Sequence, residues 1–293
     1  MSSISADSVQ CRPPPVFSKE QIKQIRTTVL SLIRDMVTAP DFIPSSVGPI
    51  IDACATSLPA AEFTALLQES NITGHTPLYW AVVNNRPEAL SAFLKFIATY
   101  TYNSLDDLRL ACMATSNHAW FTSLKLTTTP RYRKGLGLNR SLGYPRDKIQ
   151  VYHEGNLQNQ FTSKIQIMMF QKRMRVTQEI YVELIAQGRI WCLLFYMGVD
   201  TKWRVSFGLA KDSLPARPKA LLKIEAQNEQ SQDLQINFEP KEDYLLAPEG
   251  YTNSSIHTCE SLSASLDDVL MFNDAIYTDS DGALHANLEV TLL

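Results

Sequence analysis

The chain of 293 residues lacks most of the features that announce a chemistry. Its longest apolar run, Ile190 to Met197, has eight residues, against the roughly 20 needed to span a bilayer, so no membrane helix is expected. The five cysteines, Cys11, Cys54, Cys112, Cys192 and Cys259, are odd in number and far apart, and none forms a CxxC. That argues against both a disulfide framework and a zinc knuckle. Reduced thiols in a cytoplasmic or nuclear protein are the simplest expectation. The opening Met1-Ser-Ser-Ile-Ser-Ala-Asp has neither the basic start nor the apolar stretch of a secretory signal. The glycosylation-like triplets at Asn71, Asn139 and Asn253 are therefore expected to be chance matches. Charge of one sign is also missing: 27 bases against 30 acids leave a net −3, with no overall pull toward nucleic acid or an anionic membrane.

Catalytic patterns are absent as well. There is no GxSxG and no phosphate-binding GxxxxGK[ST]. Gly135-Leu-Gly137 is not completed by a third glycine, and His153-Glu154 has Leu157 where a zinc protease needs its second histidine. His75, His118, His153, His257 and His285 are scattered, which points to no metal site. Asp279-Ser-Asp281-Gly282 would put Tyr277 and Leu288 at the first and last positions of a calcium loop; neither carries a carboxylate, so a tight turn is expected instead. His257 and Cys259 would share a strand face, but a thiol nucleophile also needs a third group to orient the imidazole. The expectation is a non-enzymatic protein with no catalytic residue, no metal and no cofactor.

What is present divides the chain. From Glu225 to Leu293 there are 14 acids and one base, whereas the first 224 residues hold 26 bases and 16 acids. Residues 1–16, with Pro13-Pro14-Pro15, read as a flexible leader. Residues 17–126 read as helical. Ser18 followed by Gln21 fits a capping box, and Ile22, Ile25, Val29, Ile33 and Met36 recur at helical spacing. Gly74-His75-Thr76-Pro77-Leu78-Tyr79-Trp80-Ala81 then marks a tight turn and a helix start, because proline in the first turn sacrifices no hydrogen bond. With the second helix Glu88 to Leu94, this segment resembles an ankyrin repeat, Gly-x-Thr-Pro-Leu-His-x-Ala, with Tyr79 in place of the family's histidine and Asn85-Arg86 in place of its Gly-His turn. Helix pairs anchored on Ala53, Ala81 and Ala111, at periods of 28 and 30 residues, would make three such units, with the first helix capping the exposed end.

Residues 127–147 read as a Gly- and Pro-punctuated linker carrying Arg131, Arg133, Lys134, Arg140 and Arg146. Arg131-Tyr132-Arg133-Lys134 interleaves an aromatic with bases, a pattern single-stranded nucleic acid can use, but an acidic protein surface is the better partner and no nucleic-acid function is expected. Residues 148–293 alternate in steps of two. At least seven strands, with no long helix between them, imply an antiparallel β-sandwich. Gly188-Arg-Ile-Trp191-Cys-Leu-Leu-Phe-Tyr196-Met-Gly198, followed by Trp203 to Phe207 and the closing Tyr277 to Val290, resembles a MATH (TRAF-like) domain.

The fold class expected is therefore multidomain α + β, an ankyrin-like hairpin stack followed by an antiparallel β-sandwich. The ankyrin resemblance implies a concave partner-binding surface of Ile72, Thr73 and His75 at the turn with Tyr79 and Val83 on the inner helix, Trp80 being read as core. The TRAF-like resemblance implies that a sheet edge takes an extended peptide by strand addition. The function expected is a protein-binding adaptor. A jelly-roll carbohydrate-binding protein or enzyme, using Trp203, Tyr196 and nearby acids of the acidic C-terminal third, is the alternative.

Overall fold

A computed structural model describes residues 19–126, 143–153, 159–228, 230–240, 242–248, 261–266, 270 and 276–293. The leader, Arg131, Arg133, Lys134 and Arg140, and the His257/Cys259 pair lie outside these residues. Helices come first and two antiparallel sheets follow, so the protein is of mixed α + β class. The chain forms two compact units, Met1–Ser104 and Leu105–Leu293.

The first unit holds α1 (Lys19–Thr38), α2 (Val47–Ser57), α3 (Ala60–Gln68), α4 (Pro77–Val83) and α5 (Pro87–Leu94). Helix α1 packs against α2 and α4, and α2 against α3 and α5. Val29, Ile33, Met36 and Val37 are the buried stripe of α1. Its C-terminal carbonyls, which no helical N–H can reach, are met from the α4–α5 turn. Asn84 Nδ2 donates to the Val37 carbonyl and Arg86 Nη2 to that of Ala39, each at 2.8 Å. Arg86 also lies over the Phe42 ring at 4.4 Å. Asn85 takes a left-handed φ of 50°, a conformation asparagine tolerates better than most residues. The departure from a Gly-His turn thus supplies both the turn and the cap.

The expected equivalence of Ala53, Ala81 and Ala111 is not met. Ala81 and Ala111 are fully buried, but Ala53 is exposed. The buried pairs are Ile51 and Cys54, Leu78 and Ala81, and Leu108 and Ala111. In α2 the small buried residue is Cys54, not Ala53.

Helix α6 (Tyr102–Ala114) runs into the second unit, which continues with α7 (His118–Ser123), β1 (Lys148–His153), β2 (Gln160–Ile167), α8 (Phe170–Thr177), β3 (Glu179–Ala186), β4 (Arg189–Met197), β5 (Trp203–Leu209), β6 (Pro218–Ile224), β7 (Leu234–Phe238), β8 (Ser261–Ser265) and β9 (Leu284–Leu292). Sheet orders are β1-β2-β9-β6-β7 and β3-β4-β5-β8, every pairing antiparallel. The chain changes sheet after β2, β5, β7 and β8. Side chains from both sheets, among them Phe161, Trp191, Phe207, Leu222, Phe238 and Leu288, belong to one core. Trp191 stacks on Phe207 at 5.1 Å and donates its indole N–H to the Ala186 carbonyl at 3.1 Å. Helix α8 breaks the strand rhythm and is bounded by the left-handed residues Met169 and Gln178.

Candidate functional site

The α3–α4 connection is built by its sequence. Ile72 and His75 exchange both backbone hydrogen bonds at 3.0 Å, closing a two-residue turn in which Thr73 and Gly74 have φ of 49° and 80°. Positive φ at both central residues matches the twist of a hairpin, and glycine takes it without strain. Thr76 then caps α4, its hydroxyl accepting the Tyr79 N–H at 3.1 Å, with Pro77 in the first turn. The side chains of His75 and Tyr79, four residues apart, lie face to face, with ring centroids 3.7 Å apart and planes 9° from parallel. Trp80 stands edge-on to both, at 6.1 and 5.3 Å.

Of the residues expected to contact a partner, Thr73 is exposed and His75, Tyr79 and Val83 are half-buried, all around this turn and helix. Ile72 is only 3% exposed; its part is to seat the turn. Trp80, read from sequence as core, is half-exposed, and its indole donates to the Ile72 carbonyl at 2.8 Å. The spacing Ile72, Tyr79, Trp80 carried that signal, since an indole that cannot be fully enclosed seeks an acceptor for its N–H.

The same unit carries a feature the sequence did not reveal. Between α1 and α2 runs a groove of about 680 Å³ floored by Ile25, Val29, Leu32, Ile50, Ala53 and Cys54, with no charged side chain in its lining among the described residues. Leu32 stands 44% exposed there.

In the second unit a charged cluster is buried. Arg109 of α6 grips Glu183 of β3 with two hydrogen bonds, at 2.9 and 2.7 Å, and donates to the Leu126 carbonyl. Tyr181 Oη lies 2.6 Å from Cys192 Sγ and donates to Glu183 at 3.2 Å. Burial alone would lower the pKa of Arg109; the adjacent Glu183 charge and its hydrogen bonds outweigh that and raise it. Burial pushes the Cys112 thiol up to about 12, so it is not a nucleophile at neutral pH. At the turn before β9, Asp279 accepts the Asp281 and Ala283 amides, each at 2.9 Å, and contacts His285 at 2.8 Å. Burial opposes that carboxylate's charge, but these bonds hold its pKa below the usual range. It is a turn-forming aspartate. Among the described residues no group of three His, Cys, Asp or Glu side chains could hold a metal ion. No helix there is long and apolar enough to cross a membrane.

No family model matches this chain, and no curated protein matches it. Function must therefore be argued from the site itself.

Proposed function

We propose that this protein is a non-enzymatic interaction or adaptor protein that holds a protein partner on the surface of Thr73, His75, Tyr79, Trp80 and Val83. The observation that carries this reading is the stacked His75–Tyr79 pair, half-exposed beside Trp80 on a turn whose backbone is already closed. Aromatic groups held in place before binding lose little conformational entropy when a partner arrives, and such residues dominate binding energy at interfaces.

The finer fold assignments belong to the same reading. The pairs α2–α3 and α4–α5 are taken as ankyrin-like units, with Leu78 and Ala81 echoed by Ile51 and Cys54. The two sheets are taken as the faces of a MATH-like β-sandwich, supported by uniformly antiparallel pairing and a shared core around Trp191. A peptide would add to one of the edge strands β1, β3, β7 or β8, each paired on one side only among the described residues. Residence in the cytoplasm or nucleus is supported by the buried thiols of Cys54, Cys112 and Cys192, none of them in a disulfide. The carbohydrate alternative rested on exposed aromatics; Trp203 is 8% exposed and part of the core, which leaves it Tyr196.

The test is affinity capture from native lysate with the full chain and with a His75→Ala/Tyr79→Ala variant, alongside thermal unfolding. A specific partner retained by the wild type and lost by a folded variant supports the reading. Equal capture by both would overturn the assigned surface.

A further inference from the structure

Beyond partner binding, the second unit holds a titratable contact at the side where its two sheets end. Edge strands β1 and β3 pack against each other there, and α7 packs on β3. One imidazole touches all three elements. His118, the first residue of α7, lies with Nδ1 3.2 Å from the Ile185 amide of β3. Its ring also hydrogen-bonds the backbone of Ile149 in β1, and Nε2 is 3.3 Å from Thr122 Oγ1. A backbone N–H can only donate, so the Ile185 contact calls for a bare Nδ1 and a ring proton on Nε2, beside Thr122 Oγ1. Two residues away, Ser116 Oγ accepts the Gly188 N–H at 2.8 Å. The start of α7 thus covers N–H groups on the β3 side that would otherwise offer themselves to another strand.

We propose that His118 is a proton-operated latch: a proton arriving on Nδ1 removes the acceptor for Ile185, and the His118 end of α7 lifts from the β1–β3 edge, exposing the Ile185 and Gly188 amides to solvent. Helix α6 stays in place, because Arg109 and Glu183 satisfy each other in the interior. Phe121, fully buried, holds the rest of α7, so the opening is local. The charged groups on the elements around the ring are Asp106, Asp107 and Arg109 of α6, Glu179 and Glu183 of β3, Lys148 of β1 and Lys125 just beyond α7. None of them contributes to the histidine's shift. Burial lowers its pKa, and the Ile149 bond offsets this in part. The ring is therefore neutral at pH 7 and the latch is closed.

The experiment uses the full chain. Long-range ¹⁵N–¹H spectra at pH 7.5 read the tautomer of His118. Amide hydrogen exchange at pH 7.5 and 5.0, normalised to intrinsic rates, reads the latch. The expected results are an Nε2–H tautomer and a severalfold loss of protection at Ile185 and Gly188 on going from pH 7.5 to 5.0, with Leu193 of β4 unchanged. In His118→Asn, whose Oδ1 accepts the same N–H without titrating, that loss disappears. An Nδ1–H tautomer, unchanged protection between the two pH values, or an equal loss in the asparagine variant would overturn the proposal. If the variant does not fold, the wild-type tautomer and exchange data decide alone.

Discussion

The two sheets of the second unit treat their outer faces in opposite ways. On β2, β9, β6 and β7 the outward residues Lys164, Asn287, Lys223 and Gln235 reach solvent, and the strands alternate buried and open positions. On β3 and β4 the outward residues Glu183, Ile185, Ile190, Cys192 and Leu194 are buried as completely as the inward ones. Arg109 of α6 and His118 of α7 reach that side of the sheet. A strand covered on both faces loses its alternation and reads as a continuous apolar run. The comparison also sets two ion pairs side by side. Lys223–Glu289 on the open face, at 2.6 Å, keeps about a third to a half of each side chain in water, whereas Arg109–Glu183 keeps almost none.

This contrast can be broken by substitution. The largest loss is expected for Glu183→Gln, which leaves a guanidinium buried without its counter-charge and should cost about 3–5 kcal/mol in urea unfolding. Replacing both partners, as Arg109→Met/Glu183→Leu, should recover most of that loss. Equal destabilisation by the single and double changes would show that packing, not charge, dominates the cluster. Next comes the pH dependence of His118. Its folded pKa lies below the ordinary 6.5, so the unfolded chain takes up the proton more readily. Its contribution is absent above pH 6.5 and turns destabilising as pH falls below that value, until the folded form is protonated too. Urea midpoints at pH 7.5 and 5.0 should differ less in His118→Asn than in the wild type. On the open face, Lys223→Ala should cost no more than about 1 kcal/mol and lose even that in high salt. At the α3–α4 turn of the first unit, Tyr79→Ala should change stability by only about 1 kcal/mol while abolishing partner capture.

The sequence made some of this legible and hid the rest for identifiable reasons. Strands β2, β3, β5 to β7 and β9 stood out by their two-residue rhythm, β4 by its apolar and aromatic run between turns, and the Thr76-Pro77 start of α4 by its cap. Strand β8, Ser261–Ser265, is short and rich in serine, and β1 brings only Ile149 and Val151 to the core, so each shows too few alternations to stand out. The eight-residue run from Ile190 to Met197 was visible, but as evidence against a membrane span; its other meaning, cover on both faces, needed the register of β3 and β4. The frame error at Ala53 has a similar origin. Alanine and cysteine are both small, and spacing alone does not say which of two adjacent small residues faces inward. At the candidate site, the turn and its residues were readable from Gly74 onward, but the His75–Tyr79 stack and the inward turn of Ile72 depend on rotamers set by neighbouring side chains.

By itself the sequence determined where side-chain periodicity passes from helical to extended, and which turns close on glycine, proline or asparagine. Those are short-range consequences of backbone sterics and local hydrogen bonds. Only the tertiary structure decided that Leu105 onward belongs with the sheets, that Arg109 meets Glu183 across 74 positions, and that His118 Nδ1 meets the Ile185 amide. Each of these depends on which groups are removed from water together, and that is set by packing between segments far apart in the chain.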